Sequence, residues 1–172
     1  MRIGLAGTMS VGKTTLAKAL GELEQFKDHS VQTERSKYLR DLGIPLNTDS
    51  TLRGQFVFLA ERASELLVDN IITDRTIWDV CSFTLSAKSI GDYEKRTFVE
   101  AAMNLKEYYD VVIYVSPRGV NMEDNGIRET DLGYRMKIDT AIQMALEEFK
   151  PNKLISVEGT TEERIATILQ NI

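Results

Sequence analysis

The segment from Gly7 to Thr14 constrains the fold of this chain more than any other part of the sequence. It reads Gly-Thr-Met-Ser-Val-Gly-Lys-Thr and matches the pattern G-x-x-x-x-G-K-[ST] at every specified position. A short apolar run, Ile3–Ala6, precedes it, and a helical pattern begins near Gly12. Strand, glycine-rich loop and helix in this order are the context in which the pattern forms a phosphate-binding loop.

The chemistry of such a loop follows from its backbone. Glycines let the chain curl so that successive N–H groups point at phosphate oxygens, and the helix behind it adds its positive end. Lys13 places a charge on the outer phosphates, and the Thr14 hydroxyl can ligate Mg²⁺. We therefore expect a nucleoside triphosphate, by default ATP, together with Mg²⁺. The residues predicted to bind it are Gly7, Thr8, Met9, Ser10, Val11, Gly12, Lys13, Thr14 and Thr15.

Short apolar runs alternate with longer helical patterns along the whole chain. Because the runs are apolar on successive residues, they suit strands covered by helices on both faces. The pattern predicts a three-layer α/β/α sandwich with a five-stranded parallel sheet. The predicted strands are Ile3–Ala6, Ser30–Glu34, Asn70–Asp74, Val111–Ser116 and Lys153–Val157, and the predicted helices cover 12–24, 50–68, 92–109, 134–149 and the residues that follow the capping box Thr160–Glu163.

Composition excludes several classes of protein. At 172 residues without a linker-like tract, the chain is expected to form one domain, 1–172. One cysteine, Cys81, and one histidine, His29, exclude a disulfide framework and a Cys/His zinc site. A net charge of −5 disfavours broad binding to nucleic acid, and the longest apolar run is far too short to cross a membrane. These features, with the absence of a signal-peptide pattern, predict a soluble cytoplasmic protein with no membrane partner.

Other motifs narrow the kind of nucleotide-binding protein. No D-x-x-G occurs, and Asn152-Lys153 is not followed by the x-D of the guanine-reading motif, which argues against a small GTPase. The chain is also too short for the additional elements of ring ATPases. Charged residues beyond the loop cluster at strand ends and in one basic loop, as a phosphoryl-transfer site requires.

Four stretches together resemble the P-loop nucleoside and nucleotide kinases, particularly the family of the ribosylnicotinamide kinase domain of bacterial NadR proteins and related phage kinases. They are Gly7–Thr15, Thr33–Arg35, Asp74–Asp79, and Asp124–Arg128 followed by Tyr134-Arg135. The resemblance spans nearly the whole chain and implies ATP-dependent phosphoryl transfer. One departure is Asn125, which separates Asp124 from Gly126 where relatives have Asp-Gly, so the role of Asp124 is left open.

The resemblance implies roles for individual residues. Glu34 would accept the proton of the attacking hydroxyl, although a carboxylate there also suits the first turn of a helix. Asp74 ends a strand and would hold Mg²⁺ with Thr14, while Arg75 would approach the transferred phosphate; an ion pair at a strand end is the alternative. Arg35 would clamp a substrate phosphate or pair with a neighbouring acid.

The loop from 117 to 134 corresponds to the lid of these kinases. The resemblance implies that Arg128 and Arg135 stabilise charge on the moving phosphoryl group and help exclude water. The alternative is a solvated loop whose arginines pair with its own acidic residues.

The acceptor is expected to bind near the helical segment that follows Pro45. Arg53 and Gln55 are the predicted recognition residues, whereas Phe56 lies on the apolar stripe with Leu52. Trp78 is assigned to substrate binding, with core packing as an equal alternative.

The sequence therefore predicts a kinase that phosphorylates a small nucleoside or nucleoside monophosphate. One alternative is a kinase acting on a hydroxyl of DNA, such as a 5-hydroxymethyl pyrimidine base, which the acidic net charge disfavours. The other is a nucleotide-binding regulator or ATPase without an acceptor. The acceptor's identity and the oligomeric state, a homodimer included, are left open.

Overall fold

The computed structural model describes residues 1–33, 35–120 and 132–172, without the side chain of Lys37. Helices and strands alternate through these residues, with three short 3₁₀ turns between them. In chain order the elements are β1 (Arg2–Ala6), α1 (Lys13–Gly21), β2 (Ser30–Gln32), α2 (Ser36–Asp41), α3 (Leu52–Glu65), β3 (Ile71–Asp74), α4 (Ile77–Ser86), α5 (Asp92–Met103), β4 (Val111–Val115), α6 (Leu132–Glu148), β5 (Leu154–Val157) and α7 (Thr161–Asn171).

The five strands form one parallel sheet in the order β2-β3-β1-β4-β5. The chain leaves β1 toward β2 on one side, and it leaves β3 toward β4 on the other. The connections therefore diverge between β1 and β3, and ligands of open α/β sheets bind beyond the carboxyl ends of the strands at such a point. We call this side of the sheet the carboxyl edge.

Helices cover both faces of the sheet, which confirms the predicted three-layer sandwich. On one face α1 and α7 pack over alternate strand residues, including Ile3, Leu5 and Ile113. The other face carries α3, α4, α5 and α6, and its core includes Trp78, Phe98 and residues of α6. The central strands are thus buried on both sides, which is why their sequences show no alternation of polar and apolar residues.

Two helices are absent from the sequence prediction. Nearly every residue of α4 is buried, so its sequence shows no polar face and no helical periodicity to detect. The short α2 follows β2, which ends at Gln32 and so is shorter than predicted. The predicted helices at 12–24 and 92–109 end early, at Gly21 and Met103, and 3₁₀ turns follow them.

The prediction of the apolar stripe of α3 is wrong: the buried face of this helix is rotated about the helix axis relative to the predicted one. Phe56 is 49% exposed, although its ring contacts Phe98 edge-on. The residues of α3 that are buried are Gly54, Gln55, Phe58 and Arg62. Two polar side chains lie on the buried face, so counting apolar residues cannot locate it.

The start of α7 agrees with its predicted capping box. Thr160 Oγ1 accepts a hydrogen bond from Glu163 N (3.3 Å), and Glu163 Oε2 accepts one from Thr160 N (2.7 Å). Within the described residues, no helix combines the length and the apolar character needed to cross a bilayer.

Candidate functional site

The loop between β1 and α1 lies at the carboxyl edge. Gly7 and Gly12 adopt φ angles of 152° and 84°, a region that favours glycine, and Ser10 adopts 57°. A Cβ on Gly7 would lie 2.7 Å from the carbonyl oxygen of Val115 on β4, so glycine is required there for space as well. The two fixed glycines of the sequence motif thus allow the chain to turn tightly before α1.

The Lys13 side chain lies within the loop. Its Nζ donates hydrogen bonds to the carbonyl oxygens of Gly7 (2.6 Å) and Thr8 (2.8 Å). Most of the loop is buried, whereas Gly12 and Thr15 are exposed. Met9 packs into the core of the α4–α6 face, so its contribution to a ligand would come from its backbone.

Asp79 of α4 anchors the first residue of the loop. Its Oδ1 accepts a hydrogen bond from Gly7 N (3.1 Å), and its Oδ2 accepts two more, from Thr76 N (2.9 Å) and Thr76 Oγ1 (2.6 Å). The carboxylate is fully buried, and these three donors offset the cost of removing its charge from water. One side chain therefore caps α4 and positions the loop.

Thr14 and Asp74, the two residues predicted to ligate a metal, are in direct contact. The Thr14 hydroxyl donates to Asp74 Oδ2, and Asp74 is the last residue of β3. A hydroxyl and one carboxylate suit Mg²⁺, which takes oxygen ligands and completes its shell with phosphate and water. No cluster of three or more acidic, histidine or cysteine residues that could hold a metal alone occurs in the described ranges. The donor set therefore fits a magnesium ion that is shared with a bound phosphate.

Arg75 has a constrained backbone next to this pair. Its φ of 110° is rare for a residue with a side chain and costs about 1–3 kcal/mol. Its N–H donates to Leu5 O (3.1 Å), and its carbonyl oxygen accepts from Thr73 Oγ1 (3.0 Å). The guanidinium lies 4.8 Å from the centre of the Phe83 ring. The arginine is thus fixed between the ends of β1 and β3, beside Asp74.

Arg135 braces the loop from α6. Its Nη2 donates to Ser10 O (3.4 Å) and its Nη1 to Val120 O (3.0 Å), while its own carbonyl oxygen accepts from Thr8 Oγ1 (3.1 Å). Burial lowers the pKa of this guanidinium, against an opposing effect of Asp139. The structure thus places Arg135 on loop carbonyls, whereas the sequence predicted it to act on the phosphoryl group.

Glu34 and Arg128, the predicted base and a predicted lid arginine, lie outside the described residues, as does most of the predicted lid. Their roles stay predictions.

The four predicted acceptor residues occupy different surroundings. Arg35 lies 3.5 Å from a Glu61 carboxylate oxygen and 4.6 Å from the centre of the Tyr38 ring. Arg53 lines a cavity of about 410 Å³ formed by the α2–α3 connection and the start of α3. Gln55 is only 2% exposed and lies on the buried face of α3.

Trp78 is a core residue, which favours the packing alternative over the predicted role in substrate binding. It is fully buried, its Nε1 donates to Phe149 O (2.9 Å), and its ring packs edge-on against Tyr109. The indole's one polar atom is already satisfied, which leaves nothing to direct at a ligand.

Sequence reasoning missed Arg62, which joins α3 to the end of β3. Its Nη1 donates to Asp74 O (3.3 Å), and its Nη2 bonds Glu65 Oε1 (2.6 Å). Burial raises the pKa of Glu65 to about 7, despite the neighbouring guanidinium. A signal was present: Gln55 and Arg62 are seven residues apart, which places them on one helix face.

It also missed Arg164, a buried arginine of α7 whose Nη1 donates to Val11 O (2.7 Å). Arg164 lies on the same face of α7 as the core residue Ile168, which follows it by four positions. A charged residue on an otherwise apolar helix face is the signal in the sequence.

A groove between α6 and β5 opens beside the loop. It has a volume of about 590 Å³, and Arg135 forms part of its wall. On its floor, Tyr114 donates to Asp139 Oδ1 (2.9 Å), and Gln143 Nε2 contacts Tyr114 Oη (2.9 Å) and Asp139 Oδ2 (2.7 Å). Burial and the Asp139 carboxylate raise the pKa of Tyr114, so the phenol remains a donor. We call this the α6–β5 groove.

Known structures share this arrangement of sheet and helices. Deoxyadenosine kinase from M. mycoides, solved with dCTP, superposes with a TM-score of 0.68 at 19% identity, covering 99% of this chain and 97% of that chain. Thymidylate kinase from Candida albicans gives 0.65 at 17% identity, covering 98% and 88%. Thymidylate kinase from Ehrlichia chaffeensis gives 0.62 at 15% identity, covering 99% and 95%. At these identities the similarity shows a common fold, that of the P-loop nucleotide kinases.

No curated protein matches the chain in sequence. A family model does, and it spans residues 2–164, nearly the whole chain. The match includes the phosphate-binding loop, the Asp74-Arg75 pair and Arg164. The chain therefore belongs to the AAA domain family.

Proposed function

We propose that this protein is a kinase that transfers the γ-phosphoryl group of a nucleoside triphosphate to a hydroxyl of a small nucleoside or nucleoside monophosphate. The observation that carries the proposal is the assembly at the carboxyl edge. There the loop with Lys13, the bonded pair Thr14–Asp74 and the fixed Arg75 lie where β1 and β3 end. Cations and oxygen ligands that face one polyphosphate are what phosphoryl transfer requires.

Donor binding follows from the loop. Its amides and Lys13 hold the outer phosphates, and Thr14 and Asp74 are the residues that would hold a magnesium ion. Bound Mg²⁺ supplies charge neutralisation at the phosphate oxygens. The α6–β5 groove is large enough for a nucleoside and shares Arg135 with the loop, so we assign the donor's base and ribose to it.

The transfer step uses Arg75, which follows β3, together with Glu34 and Arg128. The acceptor oxygen attacks the γ-phosphorus, the bond to the bridging oxygen breaks, and the nucleoside diphosphate leaves. The proton of the acceptor hydroxyl passes to Glu34 in this proposal, which rests on the resemblance to nucleoside kinases. Arg75 stabilises negative charge on the moving group, and Arg128 adds to it from the lid. Arg135 acts by holding the loop.

Acceptor recognition is assigned to α3. Gln55 lies on the helix face that carries Arg62, whose Nη1 reaches the carbonyl of Asp74 at the reaction centre. An amide on this face can read the edge of a nucleobase. Arg53 lines the neighbouring cavity and Arg35 lies near the end of β2, where either could meet a phosphate or sugar of the acceptor.

The deoxyadenosine and thymidylate kinases support the choice of a nucleoside or nucleotide acceptor through their common fold. The sequence motifs support a finer assignment, a relative of ribosylnicotinamide kinases. The match to the AAA domain family supports a second candidate function, which is nucleotide hydrolysis without an acceptor.

The test is a product analysis. The protein is incubated with Mg-ATP and nucleosides, ribosylnicotinamide, nucleoside monophosphates or hydroxymethyl-base DNA, and products are identified by mass. We expect one small acceptor to gain a phosphoryl group at a rate well above ADP release without acceptor. Transfer only to DNA would support the DNA kinase, and acceptor-independent ADP release would support the ATPase.

The role of Glu34 has its own test, the substitution Glu34→Gln. We expect kcat to fall by about 100-fold or more, since positioned acid–base catalysis contributes about 10²–10⁴. Near-normal turnover at saturating substrate would remove Glu34 as the base.

A further inference from the structure

Arg164 contacts the phosphate-binding loop from the side of α7. Its guanidinium donates to Val11 O at 2.7 Å, a length typical of a charged donor, and a Cβ on Gly12 would lie 3.2 Å from its Nη1. The residue is 3% exposed. Arg164 therefore packs closely against the two residues that precede Lys13.

Within the part of the chain that the structure describes, the charge of this arginine is poorly compensated. Among the described residues no carboxylate forms an ion pair with Arg164, and its buried Nε has no hydrogen-bond partner there. Glu163, its neighbour, is engaged in the helix cap. Arg164 is also the fourth residue of α7, near the helix N-terminus, where the helix dipole disfavours a cation. Burying a cation in such surroundings lowers the stability of the fold, and an apolar side chain could pack there without this cost.

Peptide geometry connects the contact to ligand binding. In a planar trans peptide the C=O of one residue and the N–H of the next point in opposite directions. Because Val11 C=O accepts from Arg164, Gly12 N–H points away from that guanidinium. Fixing the carbonyl therefore fixes the direction of an amide that a phosphate oxygen would use.

We propose that Arg164 is a positioning residue for polyphosphate binding: it holds the Val11–Gly12 peptide with its N–H facing the ligand, and the anion supplies compensating charge that the described residues do not supply. This inference rests on the proposed function, since it concerns the same loop. It makes α7, which lies on the outer layer, part of the donor site.

The test is calorimetric titration of the full chain with magnesium and either inorganic tripolyphosphate or ATP. Arg164→Lys keeps the charge, Arg164→Gln keeps only a donor, and Arg164→Met keeps neither. Ile168→Val, in the next turn of α7, is the control for loss of packing. Thermal unfolding of each variant without ligand shows whether it folds.

We expect Kd for tripolyphosphate to rise at least tenfold in Arg164→Met, less in Arg164→Gln, and no more than about threefold in Arg164→Lys. With the phosphorylated acceptor known, the KM for the donor should rise while kcat stays within about threefold. Equal affinities for wild type and Arg164→Met, or an equal loss in Ile168→Val, would overturn the proposal. If Arg164→Met does not fold, an unchanged Kd in Arg164→Gln does the same. Failure of the wild type to bind any triphosphate would instead refute the proposed function itself.

Discussion

The buried carboxylate of Asp79 offers the sharpest test of how the loop is held. In Asp79→Asn one oxygen becomes an NH₂ group, yet all three of its contacts are donors, from Gly7 N, Thr76 N and Thr76 Oγ1. If the remaining oxygen keeps the two bonds from Thr76, the new NH₂ faces Gly7 N–H. Two donors then oppose each other in a site with no access to solvent.

The cost can be worked from these bonds. Losing a hydrogen bond to a charged acceptor costs about 1.5–3 kcal/mol, and converting two others to a neutral acceptor costs about 0.5–1 kcal/mol each. We expect the free energy of unfolding to fall by about 3 kcal/mol, which lowers Tm by about 6–12 °C in a domain of this size. Because Gly7 begins the loop, affinity for tripolyphosphate should fall too.

Urea denaturation measures the first effect and calorimetry the second. Asp92→Asn is the control, since Asp92 is an exposed carboxylate in the first turn of α5 and should change stability by less than about 1 kcal/mol. A loss below 1 kcal/mol in Asp79→Asn, with unchanged affinity, would show that this carboxylate does not anchor the loop.

Two further predictions concern buried groups. Burial raises the pKa of Glu65 from its ordinary value of 4.5 to about 7. Between these two pH values the native state binds more protons than the unfolded state, so wild-type stability falls as pH rises through that range. Because Glu65 is partly exposed, we expect the free energy of unfolding to change by only about 1–2 kcal/mol across this range. Urea denaturation at several pH values should show this change in the wild type and not in Glu65→Gln. An identical pH dependence in both proteins would contradict the assignment. Trp78→Phe should lower the free energy of unfolding by about 1–3 kcal/mol without changing the KM for the acceptor, whereas a selective rise in that KM would return Trp78 to the binding site.

The sequence alone predicts those features that depend on residues close together in the chain. The loop from Gly7 to Thr14 is a contiguous motif, and the cap of α7 needs only Thr160 and Glu163. The sequence places Asp74 at the end of an apolar strand. Because that strand is parallel to β1, their carboxyl ends lie at the same edge of the sheet, and Asp74 is therefore near the loop that follows β1.

The remaining features depend on partners that are distant in the chain. Asp79 is recognised as an anchor only when Gly7, 72 residues away, is seen to donate to it. Arg164 contacts a backbone carbonyl 153 residues away, and carbonyls carry no sequence signal. The buried face of α3 does not follow from periodicity, because a charged residue lies on it. Arg62 can be buried there since its guanidinium donates to the carbonyl oxygen of Asp74, at a position that periodicity assigns to an apolar residue.

The most direct measurement is a crystal structure with magnesium and a non-hydrolysable ATP analogue. We expect Lys13 Nζ to leave the carbonyls of Gly7 and Thr8 and bind oxygens of the outer phosphates, with the metal beside the Thr14 hydroxyl and Asp74. A well-ordered analogue bound elsewhere, with Lys13 still on those two carbonyls, would contradict the account.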